Sequence, residues 1–184
     1  MDLGNAALVT IDLQNGILFG LPSKGALLDN HDVLARNEQL IRAVLGKNRP
    51  VAVVHVTAPS FLSVLTKSFS KLSINPQILE NPNVKIFEKH QPSAYSITAF
   101  RDFLKEKQIR TVLLTGVSTN NGVLKTARNL AENEINVITV TDATNARSEV
   151  EYNEALNELG TLGELVTTAE LLNMLDKESK PKTD

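Results

Sequence analysis

Three stretches of this chain hold side chains whose types and settings suit acid–base chemistry on a small molecule. Asp12 directly follows the apolar run LVTI. A carboxylate at the end of a buried strand is partly desolvated, which raises its pKa and suits it to general acid or base work. The alternative for Asp12 is a cap or a carboxylate that anchors a loop. Lys89 follows VKIFE in the same edge position. There it would hold Asp12 as the anion and bind an oxyanion or a carboxylate, whereas a lysine taken alone in a polar loop is more often simply solvated. The third stretch is TVLLTGVSTNNGVLKTA, Thr111 to Ala127, an apolar β-type run, a polar elbow and then apolar residues at helical spacing. Strand, tight turn and helix in that order place unpaired helix N–H groups at the carboxyl edge of a sheet, where ligands bind. Val117, Ser118, Asn121 and Gly122 therefore form the expected elbow for substrate or an oxyanion.

Other candidates are weaker. His55 lies inside VAVVHV, where a satisfied core or rim histidine is commoner than a ligand or base, and it ranks third, as a substrate contact. Phe19 and Leu21 sit in a loop-rich stretch and are placed over the mouth of a cleft, which makes Phe19 a further substrate contact. Ser118 and Thr119 have no GxSxG context and no evident histidine base, so their hydroxyls are expected to cap the following helix. His31, His55 and His90 are not spaced as a zinc site, and the glycines near 116 and 122 make neither a dinucleotide nor a P-loop fingerprint. No metal and no cofactor is expected.

Composition narrows the field further. The chain has 184 residues, a formal net charge of −2 and no cysteine. The length suits one domain, taken as residues 1–176 with a flexible tail at 177–184. The interspersed charges give no footprint for nucleic acid or an acidic membrane surface, so a small, roughly neutral ligand or another protein is the expected partner. Without cysteine there is no disulfide, no thiolate metal site and no thiol nucleophile. No secretory segment follows Met1 and no apolar run approaches the ~18 residues of a membrane span, so a cytoplasmic location is expected.

The elements that must position these residues alternate along the chain. Strands are expected at 6–12, 51–56, 84–87, 111–115, 135–140 and 164–167, each a short apolar run. Helices are expected at 31–47, capped by Asn30 or Asp32, then at 96–108, at 121–133, around Tyr152 to Leu159 as far as Gly160 or Gly163, and at 168–177. Residues 13–30 read as loop-rich, and 58–83 as either a short helix or an elaborated loop. This alternation predicts an α/β fold, a three-layer doubly wound sandwich with a mainly parallel five- to six-stranded sheet and helices on both faces.

The order of LVTIDLQN, KHQPSAYSITAF, GVSTNNGV before a helix, and VITVTDAT resembles the isochorismatase-like hydrolases, a superfamily that includes nicotinamidases and N-carbamoyl amidohydrolases. The resemblance runs from about Ala6 to Leu172 and implies a parallel sheet flanked by helices. It also implies that Asp12 is the catalytic acid or base, that Lys89 supports it, and that a cis peptide near Val117–Ser118 turns backbone N–H groups toward the substrate. The nucleophilic cysteine of many members falls at Gly122, so the resemblance excludes a covalent acyl-enzyme here. True isochorismatases also have glycine there. They protonate a vinyl ether through a carboxyl group and let water add to the resulting cation. Two departures from those enzymes stand out: His55, Val56 and Thr57 replace a glutamine beyond the second strand, and Ser118 to Asn121 replace an aromatic and a histidine. The metal-binding nicotinamidase pattern is absent from HVTAPSFLSV. By resemblance the chain is expected to form a homo-oligomer, a dimer or larger.

Three functions follow: a cysteine-independent hydrolase of a small molecule, a family member without turnover that binds a metabolite, or an oligomeric interaction subunit. The first is the one these residues favour.

Overall fold

The computed structural model describes residues 3–20, 25–57 and 70–178. Six strands form one sheet: β1 (Ala6–Ile11), β2 (Val51–Val56), β3 (Val84–Lys89), β4 (Thr111–Val117), β5 (Asn136–Asn145) and β6 (Glu164–Val166). Their order is β3-β2-β1-β4-β5-β6, and each neighbouring pair is parallel. β1 is buried at all six positions. Parallel strands covered on both faces carry continuous apolar runs rather than alternating ones.

The described helices are α1 (Asn15–Leu18), α2 (Asn30–Gly46), α3 (Pro76–Leu79), α4 (Thr98–Glu106), α5 (Leu124–Glu132), α6 (Glu149–Leu162) and α7 (Thr168–Lys177). Two apolar layers flank the sheet. One joins Leu8, Val53 and Leu113 to Leu40 and Ile41 of α2 and Leu171 and Leu175 of α7. The other joins Val9, Val54 and Leu114 to Phe100 and Phe103 of α4, Leu130 of α5 and Leu159 of α6. Alternate residues of each strand feed opposite layers, as a period of two requires. The three-layer α/β fold is the expected one, and its sheet has six strands, at the upper end of the expected five to six.

The turning point of this order lies between β1 and β4, where the chain leaves one half of the sheet for the other. The crevice of a doubly wound sheet opens beyond the carboxyl ends of those strands. Two local features shape it. Gly116 has φ +104°, and a Cβ there would stand 2.2 Å from the carbonyl oxygen of Ile11, so only glycine lets β4 lie this close to the end of β1. The β4–β5 register then shifts, with Leu114 opposite Thr139 but Gly116 opposite Thr144. The Asp142 carboxylate holds the displaced segment, accepting hydrogen bonds from the Thr168 N–H at 2.7 Å and its hydroxyl at 2.8 Å.

Several boundaries differ from the expected ones. β5 continues to Asn145 instead of stopping near Val140, through that register shift. The cap of α2 is Asp29, whose carboxylate accepts from the His31 N–H, in place of Asn30 or Asp32. The expected 96–108 helix is split by extended Ile97 into a 3-10 turn at Ala94–Ser96 and α4. α7 has the expected bounds, 168–177, and so takes in the first residue of the expected tail. Leu21, most of the 58–83 stretch and tail residues 179–184 lie outside the described residues.

Candidate active site

Asp12 is the first residue beyond β1, and its backbone turns out of the strand with φ 52°. Its N–H still donates to the Val54 carbonyl at 2.8 Å, and its own carbonyl accepts from the Gln14 N–H at 2.8 Å. The carboxylate is thereby aimed across the sheet edge instead of continuing the ladder. Left-handed backbone at a non-glycine residue is uncommon, and Asp is among the residues that adopt it most readily.

Lys89 ends β3, two strands away, and its side chain reaches back across β2. The ammonium stands 2.7 Å from Asp12 Oδ2 and donates to the Pro92 carbonyl at 2.8 Å. Both residues are buried, Asp12 at 7% and Lys89 at 3% exposure. Burial raises the Asp12 carboxyl above its ordinary value, and the neighbouring Lys89 charge pulls in the opposite direction without overcoming it. Asp12 Oδ1 is buried and has no hydrogen-bond partner. A buried polar atom without a partner is costly, so this oxygen is poised to receive one from a bound molecule.

The elbow closes the site from the β4 side. The Val117–Ser118 peptide is cis, and a π-helical turn at Thr119–Val123 leads into α5. The expected helix start at Asn121 is thus a wider turn with α5 proper beginning at Leu124. Ser118 and Thr119 do not cap it, contrary to expectation. Ser118 Oγ donates to Asn120 Oδ1 at 2.5 Å, and the Thr119 hydroxyl meets that of Thr144 at 2.9 Å. Gly122 is fixed from behind, its carbonyl accepting from Thr126 Oγ1 at 2.7 Å. A Cβ on Gly122 would lie 3.4 Å from both Asp12 Oδ2 and Lys89 Nζ, and only 2.8 Å from the γ2 methyl of Ile11. The backbone of the elbow therefore occupies the ground beside the ion pair where a nucleophilic side chain would have to root.

These groups open into a cavity of about 800 Å³ whose walls include Asp12, Lys89, Val117, Ser118 and Asn121. Two expected contacts lie elsewhere. Phe19 is 42% exposed, with its ring stacked on His31 at 4.6 Å. His55 pairs in register with Glu88; burial lowers its pKa, and Nδ1 has no hydrogen-bond partner. Val56, one residue later, is the wall on that side.

Other wall residues carried no motif of their own in the sequence. Asn145 donates to the Leu28 carbonyl and to Asn30 Oδ1, each at 2.8 Å. Asn30 in turn donates to the Leu18 carbonyl at 2.6 Å, so one amide pair ties α1 and the following loop to the end of β5. Behind the wall residue Val56, Gln14 is fully buried, donates to the Val56 and Ser70 carbonyls, and accepts from the Val56 N–H, each at 2.9 Å. Arg147 follows β5 at the mouth. The one sequence signal for Asn145 and Arg147 is their place just past the carboxyl end of a buried strand. Among the described residues no group of three or more His, Asp or Glu side chains is arranged to hold a metal ion.

Comparison with known proteins agrees with this fold. Residues 6–170 match the isochorismatase domain family. The isochorismatase family protein YecD of Escherichia coli O157:H7 is 31% identical over 186 residues, spanning 92% of this chain and 95% of its own length. A solved isochorismatase family protein from Burkholderia thailandensis superposes with a TM-score of 0.82 at 31% identity, covering 94% of this chain and 96% of that one. The pyrazinamidase of Pyrococcus horikoshii, solved in complex with zinc, shares the fold with a TM-score of 0.76 at 16% identity, over 89% of this chain and 99% of that one.

Proposed function

The chain belongs to the isochorismatase family, and on that premise we propose that it hydrolyses a small molecule by acid–base chemistry at Asp12 and Lys89 with no covalent intermediate. The observation that carries this reading is the Asp12 carboxylate itself: one oxygen sits 2.7 Å from the buried Lys89 ammonium, and the other is buried without a partner beside a residue that has no side chain. Nothing at Gly122 can attack a carbonyl, so water is the nucleophile.

Vinyl-ether hydrolysis fits these groups. Asp12, in its protonated form, gives its proton to the enol-ether carbon, and the electron pair of the C=C bond forms the new C–H bond. The resulting oxocarbenium ion takes up water, whose released proton returns to Asp12, and the hemiketal collapses to a ketone and an alcohol. Burial favours the protonated carboxyl before the step, and Lys89 stabilises the carboxylate that forms during it. As the resemblance implies, the proposed enzyme works as a homo-oligomer.

The test is a screen of purified protein against isochorismate, amides, ureido acids and simple esters, run beside Asp12→Asn. Loss of a positioned acid costs about 10²–10⁴-fold in rate, so turnover should vanish in a variant that still melts cooperatively. A fully active Asp12→Asn protein overturns the mechanism. The glycine at 122 also motivates a second reading, a binding protein on a hydrolase scaffold. Absence of turnover with every substrate, together with a ligand that raises the melting temperature, would select it.

A further inference from the structure

The Lys89 ammonium has two acceptors, Asp12 Oδ2 at 2.7 Å and the Pro92 carbonyl at 2.8 Å. The second belongs to the segment that follows β3, so where that segment lies decides where the ammonium can stand. Two residues on, Ala94 is fully buried and begins the 3-10 turn Ala94–Ser96, whose first N–H groups have no partner within the turn. Its N–H donates instead to Thr126 Oγ1 on α5, at 3.0 Å and 32 residues away in sequence. The neighbouring bonds are local, from the Tyr95 N–H to Ser93 Oγ at 3.2 Å and from the Ser96 hydroxyl to the Ser93 carbonyl at 2.7 Å.

Thr126 is itself fully buried, and its hydroxyl donates to the Gly122 carbonyl at 2.7 Å. That bond alone is ordinary, since a threonine inside a helix commonly turns its hydroxyl back on the carbonyl four residues earlier. The bond from Ala94 is not. An N–H only donates and a carbonyl only accepts, so the hydroxyl must take one hydrogen bond and give the other, and neither role can be reversed. The series Ala94 N–H, Thr126 hydroxyl, Gly122 carbonyl therefore joins the segment that carries Pro92 to the elbow. Gly122 lies against the ion pair, where a Cβ would stand 3.4 Å from both Asp12 Oδ2 and Lys89 Nζ. One buried hydroxyl thus ties together the two walls that flank the pair.

We propose that Thr126 is a positioning residue: its hydroxyl holds the 90–94 segment against the elbow, and through the Pro92 carbonyl it keeps the Lys89 ammonium seated on Asp12. Without the hydroxyl the Ala94 N–H is left buried and unpaired, and the segment gains by moving outward to reach water. Pro92 moves with it, and the ammonium is drawn off Asp12 or loses an acceptor. Of the charged groups on the cavity walls, Lys89, His90, Arg147 and Glu151, Lys89 is the one whose charge acts on the Asp12 carboxyl. A looser ammonium therefore lets that carboxyl titrate at higher pH. This deepens the hydrolase reading and rests on it for the use to which the pair is put; the seating itself is testable without turnover.

The experiment is an NMR titration of the full chain carrying aspartate labelled with carbon-13 at the side-chain carboxyl, the Asp12 signal being the one that disappears in Asp12→Asn. Thr126→Val keeps the shape of the side chain and removes the hydroxyl. Its Asp12 midpoint should rise by on the order of half to one pH unit, a part of the roughly 1–3 that a full neighbouring charge commands. Thr126→Ser keeps the hydroxyl and should titrate with the parent. In a Lys89→Met background the same valine substitution should leave the midpoint where Lys89→Met alone puts it, because the ammonium it acts through is gone. An unmoved midpoint in Thr126→Val, a Thr126→Ser midpoint that moves as far, or a valine shift that persists without Lys89 overturns the assignment. If Thr126→Val does not melt cooperatively, Thr126→Ala is held to the same expectations. Absence of hydrolysis with every substrate has no bearing on this titration, so the two readings fail separately.

Discussion

Burial raises the Asp12 carboxyl and the Lys89 ammonium pulls it down, so substitution can separate the two influences. Lys89→Met removes the opposing charge and leaves the burial, so the Asp12 pKa should climb further. If Asp12 is the general acid, its activity falls as pH rises through that value, and the alkaline limb of the rate profile should move to higher pH in Lys89→Met. A limb that stays in place would mean another group titrates. The linkage to stability has a definite sign. A carboxyl whose folded pKa is raised contributes stability that is fully present below the unfolded value of 3.8 and is lost as pH rises through the folded value. The stability of Asp12→Asn relative to the parent should therefore improve from acid toward neutral pH, as melting temperatures across that range would reveal. Asp12 and Lys89 were legible in the sequence because each ends an apolar run, and the ion pair joins them. The placing of Phe19 and His55 on the substrate depended on loop course and side-chain direction, which local pattern does not encode.

The elbow is the element whose geometry sequence periodicity described least well. Its apolar spacing from Val123 onward gave the helix, but the π-helical turn at Thr119–Val123 depends on contacts with β1 and β5. The closeness of Gly122 to Ile11 yields a prediction at this scale. Gly122→Ala forces a methyl against the Ile11 γ2 carbon, which is branched directly from Cβ and cannot swing aside. Overpacking of this kind costs about 1–3 kcal/mol. Ile11→Ala should relieve it, so the double variant should be more stable in denaturant melts than the sum of the two single changes. Additive effects would mean that the two residues do not press on one another. α4 was legible for the opposite reason, since Phe100, Phe103 and Leu104 recur on one buried face, and the two Phe rings meet Phe87 of β3. The end of β5 has no local signal, because its continuation depends on the Asp142 carboxylate and Thr168, residues that meet only in the folded chain.

Across the whole molecule, the alternation of apolar runs and amphipathic stretches was enough to give a parallel sheet between two helical layers, and the strand order was not written in any single segment. Self-association is a property of this scale. Leu27, Ile86, Val150 and Leu165 leave apolar side chains exposed, and the proposed homo-oligomer should show a light-scattering mass at a multiple of 20.1 kDa; a mass of one chain would refute it. The seam between β1 and β4 also bears on how the protein comes into being. Ala6 pairs with Thr111, so the neighbour that β1 requires leaves the ribosome roughly a hundred residues after it. At synthesis rates of about 5–20 residues per second, the first strand waits on the order of 5–20 seconds with one hydrogen-bonding edge unmatched. Asp12 is made about a hundred residues before the strand beside it, so the pocket that gives the acid a purpose closes only when the second half of the sheet arrives.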